Sequence, residues 1–314
     1  MNRRRTALMG FLCVLPLLAS CSINRMAINA VSNALTGTGS TNVFMTDNDP
    51  ELVADALPFA IKMYETLLSQ NPNHEGLSLT TGSLFVMYAN AFVQGPAEML
   101  DSIDYYYERT EAVRRAKNLY LRGSEILTTA LDKKFPGFSA ATAEDGSLER
   151  LLGRARKEDV PLLYWTVAGG LSAYSLDVFD FGLGYQIPEW DAMLARAYEL
   201  DPDFNNGAID ELYLMYYASL PENLGGDKAR AEVHFRRALE KSNYQSAGPY
   251  VSFAKTFVPA AEYDGDYDAF EENLQKALAI DVDADPSLRL MNVINQRKAR
   301  HLLDMAEDYF YFGN

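Results

Sequence analysis

The chain has 314 residues, 48% of them apolar, and carries 28 Lys and Arg against 43 Asp and Glu, for a net charge of −15. That acidity excludes nucleic acid and anionic lipid headgroups as expected partners. Length and apolar content together support a large core.

The first element in chain order is an export signal. Arg3, Arg4 and Arg5 precede an apolar run from Ala7 to Leu18, which ends in Leu18-Ala19-Ser20-Cys21. This is the layout of a secretory signal, and its run of about a dozen residues is shorter than the roughly 20 that span a bilayer. Leu-Ala-Ser-Cys resembles a bacterial lipobox, which implies that residues 1–20 are removed and that Cys21, lipidated, becomes the first mature residue. An ordinary signal peptide with a chance cysteine is the alternative. Removing residues 1–20 takes away three arginines and no acid, so the net charge of −15 becomes −18. Cys13 leaves with the signal, so no intrachain disulfide is expected. No later apolar stretch is expected to span a membrane. The expected location is therefore periplasmic, with lipid as the only membrane attachment. Ser22 follows Cys21 where many inner-membrane lipoproteins carry aspartate, and either membrane remains open.

Residues 21–46 read as a lipidated flexible tether, with Thr36-Gly37-Thr38-Gly39-Ser40-Thr41 at its centre and a short helical stretch from Ala27 to Leu35. Residues 47–314 read as one helical domain. Val53, Leu57, Ile61, Tyr64 and Leu68 share a helix face. Asp49-Pro50-Glu51 supplies a cap, a first-turn proline and an acid for the dipole, and Asp285-Pro286 repeats this grammar. Strand patterning is nearly absent, which makes the fold class all-α.

Apolar or small residues about four and seven positions apart, with a proline some twelve positions on, recur in three segments: Ala60, Tyr64, Leu67, Pro72; Gly123, Leu127, Leu131, Pro136; and Trp190, Leu194, Ala197, Pro202. Ala231, Phe235, Ala238, Asn243 and Phe270, Leu274, Ala277, Val282 keep the apolar spacing without the proline. This is the second-helix half of a tetratricopeptide-like repeat, in which the proline stops the helix. The closing residues lie 64, 66, 41 and 39 apart, so the expected architecture is an irregular α-α superhelix with inserted helices. A non-repetitive helical bundle is the alternative.

Chemistry is sparse. His74, His234 and His301 stand in unrelated contexts and none pairs at zinc-site spacing. Asp281, Asp283 and Asp285 imitate a calcium loop, but Pro286 stands where glycine is required and Asn292 where a bidentate glutamate belongs. Helix capping is the better account. Gly-x-Ser-x-Gly and phosphate-binding glycine loops are lacking, and Gly169-Gly170 reads as a close-packing site. No catalytic residue, cofactor or metal is expected. The 19 tyrosines and 16 phenylalanines cluster at Tyr105-Tyr106-Tyr107, Tyr164-Trp165, Tyr213 with Tyr216-Tyr217, and Tyr309-Phe310-Tyr311-Phe312. Such rings suit a ligand groove or a protein interface, or fill the core.

Specific strings add a resemblance. Asp47-Asn48-Asp49-Pro50-Glu51-Leu52-Val53, Ala56-Leu57-Pro58-Phe59-Ala60, Ala116-Lys117-Asn118-Leu119-Tyr120-Leu121-Arg122 and Val160-Pro161-Leu162-Leu163-Tyr164-Trp165 are similar to the TatT family. So are Gly225-Gly226 leading to His234-Phe235, and Ala277-Leu278-Ala279-Ile280-Asp281 through Arg289-Leu290-Met291-Asn292. TatT is the tetratricopeptide-containing T component of TRAP transporters. The resemblance, from about residue 44 onward, implies a homotrimeric lipoprotein that docks a periplasmic substrate-binding P component. It also implies a cleft or pore for a small hydrophobic organic ligand. Ligand contacts are assigned to Tyr120, Arg122, Tyr164, Trp165, Asn292 and Gln296; Asn292 would orient a ligand carboxylate with Arg122, or cap a neighbouring helix. A basic patch is expected on the partner. Two other functions remain as alternatives: a tetratricopeptide scaffold for envelope assembly and, less favoured, a helical glycoside hydrolase using paired carboxylates.

Overall fold

The computed structural model describes residues 28–37, 42–100, 103–220, 225–257 and 266–310; the expected signal and Cys21 lie outside them. No strand occurs among the described residues. The helices are α1 (28–36), α2 (Asn42–Met45), α3 (Pro50–Gln70), α4 (Glu75–Ala89), α5 (Gly95–Glu98), α6 (Tyr106–Lys134), α7 (Ser147–Leu152) and α8 (Val160–Ser175). They continue as α9 (Phe181–Gly184), α10 (Ile187–Leu200), α11 (Ala208–Ser219), α12 (Lys228–Lys241), α13 (Gly248–Ala254), α14 (Tyr267–Leu278), α15 (Arg289–Asp304) and α16 (Ala306–Tyr309).

Caps and prolines place the helix ends as the sequence expects. Asp49 accepts a hydrogen bond from the Leu52 amide at the start of α3. Asp227 and Asp266 do the same for α12 and α14. α3, α6 and α10 each end two residues before Pro72, Pro136 and Pro202. Asp285 caps the turn Pro286–Leu288 that leads into α15, while Asp283 pairs with Arg289.

Four helix pairs make up the array, α4 with α6, α8 with α10, α11 with α12, and α13 with α14, with α6 also packed on α8 and with α3 and α15 at the flanks. The second helices carry four of the five recurring segments and α3 the other, and Leu127, Leu131, Trp190, Leu194, Ala231, Phe235, Phe270 and Leu274 are all buried. Glycines let the first pairs approach closely. A side chain on Gly82 would strike Leu127, one on Gly123 would lie 2.7 Å from the Gly82 carbonyl, and one on Gly170 would overlap the Trp190 ring.

The array closes on itself. α15 packs against α2 and α3, and Leu290 and Ile294 share a core with Val53, Leu57, Leu77 and Leu84. The Arg289 guanidinium donates to the Thr46 carbonyl at 2.9 Å. Within the stretch expected to be a tether, α1 is hydrogen-bonded to the array: Tyr64 donates to the Leu35 carbonyl at 2.9 Å, and Asn71 to Asn29 at 2.6 Å.

One helix departs from the expectation of no later spanning stretch. Glu75–Glu98 is long and apolar enough to cross a membrane, yet most of its apolar window is buried inside the array. Packing on several sides accounts for its hydropathy. It is continuous because α4 passes into α5 through a π-helical turn, Asn90–Gln94.

Candidate functional site

Polar side chains from several helices meet beside the π turn. The π turn supplies Gln94, and α5 supplies Glu98. Tyr120, fully buried on α6, donates to Gln94 Oε1 at 2.6 Å, and Gln94 Nε2 donates to Glu98 Oε1 at 2.6 Å. Lys255, in the turn after α13, donates to Glu98 Oε2 at 3.0 Å, with both side chains partly exposed. Burial alone would raise the Glu98 pKa; Lys255, Lys298 and the Gln94 hydrogen bond together hold it below the usual carboxylate range.

Deeper lie Lys298 of α15 and Glu211 of α11. The Lys298 side chain passes over Gly95, where an added Cβ would sit 2.9 Å from its Cε. A side chain there would make the end of the lysine shift. Glu211 lies against Gly248, and Asn295 Nδ2 is 3.3 Å from the same Cβ position. Asn295 and Lys298 are three residues apart on α15 and share a face, and the charge of Lys298 acts on Glu211. Burial pushes the Glu211 carboxyl up to about 7, against a smaller opposing effect of Lys298. Burial also holds the Lys298 ammonium below the usual lysine range. Burial raises the Tyr164 phenol, with a further contribution from Glu211.

The residues expected to touch a ligand are dispersed by the fold. Tyr164 faces this interior and packs its ring 5.1 Å from both Trp165 and Phe204. Tyr120 reaches it through Gln94. Arg122 lies elsewhere, half exposed, paired with Glu65 and stacked 4.8 Å from the Phe85 ring. Of the two roles open to Asn292, the structure shows the cap: it accepts from the Ala247 amide and donates to the Gln245 carbonyl, both at 2.8 Å. Gln296 donates to the carbonyls of Ala277, Leu278 and Ile280 at the end of α14. Arg122 and Asn292 do not come together.

Lys298, Glu211, Glu98 and Gln94 went unnoticed in the sequence. One signal was available: Leu290, Ile294, Lys298 and Leu302 recur every four residues, placing a lysine within an apolar stripe.

The aromatic clusters divide. Tyr213 and Tyr217 are core and stack with His234, whose Nδ1 meets buried Asp210 at 2.7 Å; Lys241 holds the other oxygen at 2.6 Å. Tyr105, Tyr106 and Tyr107 are exposed, as are Phe179, Phe181 and Tyr185. Lys117 on α6 pairs with Asp177 and Asp180 beside the second group. A groove of roughly 540 Å³ also opens between α6 and α10, lined by Glu125, Thr128, Asp132, Lys133, Gln186 and Trp190.

The family model of the TRAP transporter T-component matches residues 46–310, nearly the whole chain. The chain belongs to the TRAP transporter T-component family. A relative from Treponema pallidum (strain Nichols), described as an uncharacterized protein, is 33% identical over 309 residues, covering 94% of this chain and 94% of that protein. Membership makes the chain a T-component accessory of a TRAP transport system, and the family is one of transport accessories rather than enzymes. The match covers all four helix pairs and α15, and so includes Lys298 and Glu211.

Proposed function

We propose that this T component is a periplasmic lipoprotein, anchored through Cys21, that docks the substrate-binding P component and takes a small hydrophobic organic ligand into its closed interior. The observation that carries the ligand role is a convergence of perturbed groups. Tyr164, Glu211 and Lys298 come from three different helices, and burial shifts all three groups. Strongly perturbed groups gathered in one place are a usual mark of a binding site. Tyr120 and Trp165 support the wall behind Tyr164, while Asn292 and Gln296 fix the helix ends that shape it. Arg122 lies outside this arrangement.

Docking and trimer formation draw support from the exposed rings at Tyr105 to Tyr107 and at Phe179, Phe181 and Tyr185, since exposed apolar patches favour protein contacts. The acidic balance favours a basic patch on the partner. Sedimentation of the mature protein with the substrate-binding protein of its TRAP system should give a complex of one subunit of each. No association would sink the docking role and leave the scaffold reading in its place.

A further inference from the structure

Among the described residues, Lys298 and Glu211 are the charged side chains of the interior left without a hydrogen-bonding partner. Glu98 is already occupied by Gln94 and Lys255, and no carboxylate lies within ion-pair distance of Lys298. Nor does any Lys or Arg pair with Glu211, although it senses the charge of Lys298. Neither group is sealed away. Both residues keep partial exposure. Two groups of opposite charge thus stand near enough for Lys298 to act on Glu211, yet outside salt-bridge distance, with Asn295 beside Glu211 against Gly248. Burying unpaired charges is costly, and a fold built only for stability would place apolar residues there.

We propose that Lys298 and Glu211 form a two-pole site for a zwitterion: an α-amino acid with an apolar side chain, its carboxylate on Lys298 and its ammonium on Glu211. This rests on the interior being a ligand site and adds the chemical class of the ligand. Asn295, between the poles, can donate to the carboxylate or accept from the ammonium. The glycines are part of the site. Gly95 leaves room for the lysine stem, and Gly248 leaves room for the Glu211 carboxylate. A ligand with only one charge would leave the opposite pole unpaired, which gives the site its selectivity.

The test uses the mature full chain in mild detergent. Nile red, an uncharged apolar dye, reports whether the interior accepts a ligand at all. L-leucine and L-phenylalanine are then titrated calorimetrically beside 4-methylpentanoate and 3-methylbutylamine, each of which lacks one charge. The amino acids should bind at least tenfold more tightly than either analogue. Lys298→Met and Glu211→Gln should each lose at least tenfold for L-leucine while retaining helicity. Both variants remove an unpaired charge and so are expected to fold. Gly95→Ala, which crowds Lys298 without altering charge, should weaken L-leucine in the same direction. If Nile red binds but the amino acids bind no better than the analogues, or are indifferent to both charge substitutions, the zwitterion site is wrong and the ligand interior survives. If Nile red finds no site, the ligand interior falls and this inference with it.

Discussion

Arg297 of α15 forms a two-pronged pair with Glu51 of α3, the Nη2–Oε2 contact measuring 3.0 Å, and so joins residues 246 positions apart. The arginine holds the Glu51 carboxyl below its usual range. Both partners are well exposed, and exposed pairs contribute only about 0–1 kcal/mol. The seam instead depends on Leu290, which is fully buried among Leu57, Leu77 and Leu84. Arg297→Ala should move the denaturation midpoint little, whereas Leu290→Ala should cost about 2–5 kcal/mol. In amide exchange, Leu290→Ala should also deprotect α3 and α15 together; deprotection of α15 alone would mean that the ring is not coupled across its seam.

Glu211 should make stability depend on pH. Its pKa is raised on folding from 4.5 to about 7. The folded state therefore binds the proton more tightly, and its stability is full below about pH 4.5 and falls as pH rises through 7. The loss from this one group is at most about 3 kcal/mol. Urea unfolding followed from pH 5 to 8 should show the fall, and Glu211→Gln should flatten it. An identical slope in the variant would mean that Glu211 is freely hydrated.

Gly170→Ala should destabilise the junction of α8 and α10. The added methyl overlaps the Trp190 indole, itself buried, and must push it aside at a cost of about 1–3 kcal/mol. Trp190 fluorescence should shift in the folded variant; an unchanged spectrum would show that the backbones part instead.

Asn292→Ala separates a structural from a ligand role. It strands the Ala247 amide and the Gln245 carbonyl, which should cost about 1–3 kcal/mol in chemical denaturation. Nile red affinity should stay within about twofold where the variant is folded. A large loss of affinity at unchanged stability would return Asn292 to the ligand site.

Local features were legible in the sequence because they are written in neighbouring residues. Asp49-Pro50 begins a helix, and Pro72, Pro136 and Pro202 each follow a helix end. Closure was not legible. Its contacts join α15 to α2 and α3, and nothing in the local pattern of Leu290 or Arg297 distinguishes a seam from an ordinary helix face. The site fared worse for the same reason. Tyr164 was found through its aromatic neighbour, but Lys298 and Glu211 gain their meaning only when α11 and α15 are brought together. Asn292 shows the converse: a polar residue on an apolar face looks like a ligand contact until the Ala247 amide arrives beside it.

A π turn holds one residue more than the α-helical turn it replaces. Beyond Asn90–Gln94 the helix is therefore rotated by about 100° relative to an uninterrupted one. Gly95 under Lys298 and Glu98 beside Lys255 occupy their places because of that offset. The surplus residue acts as a phase setting, and deleting it would turn the same amino acids outward while leaving the composition of the helix almost unaltered. In this chain the charge pattern of the interior is encoded as much by a count of residues as by their kind.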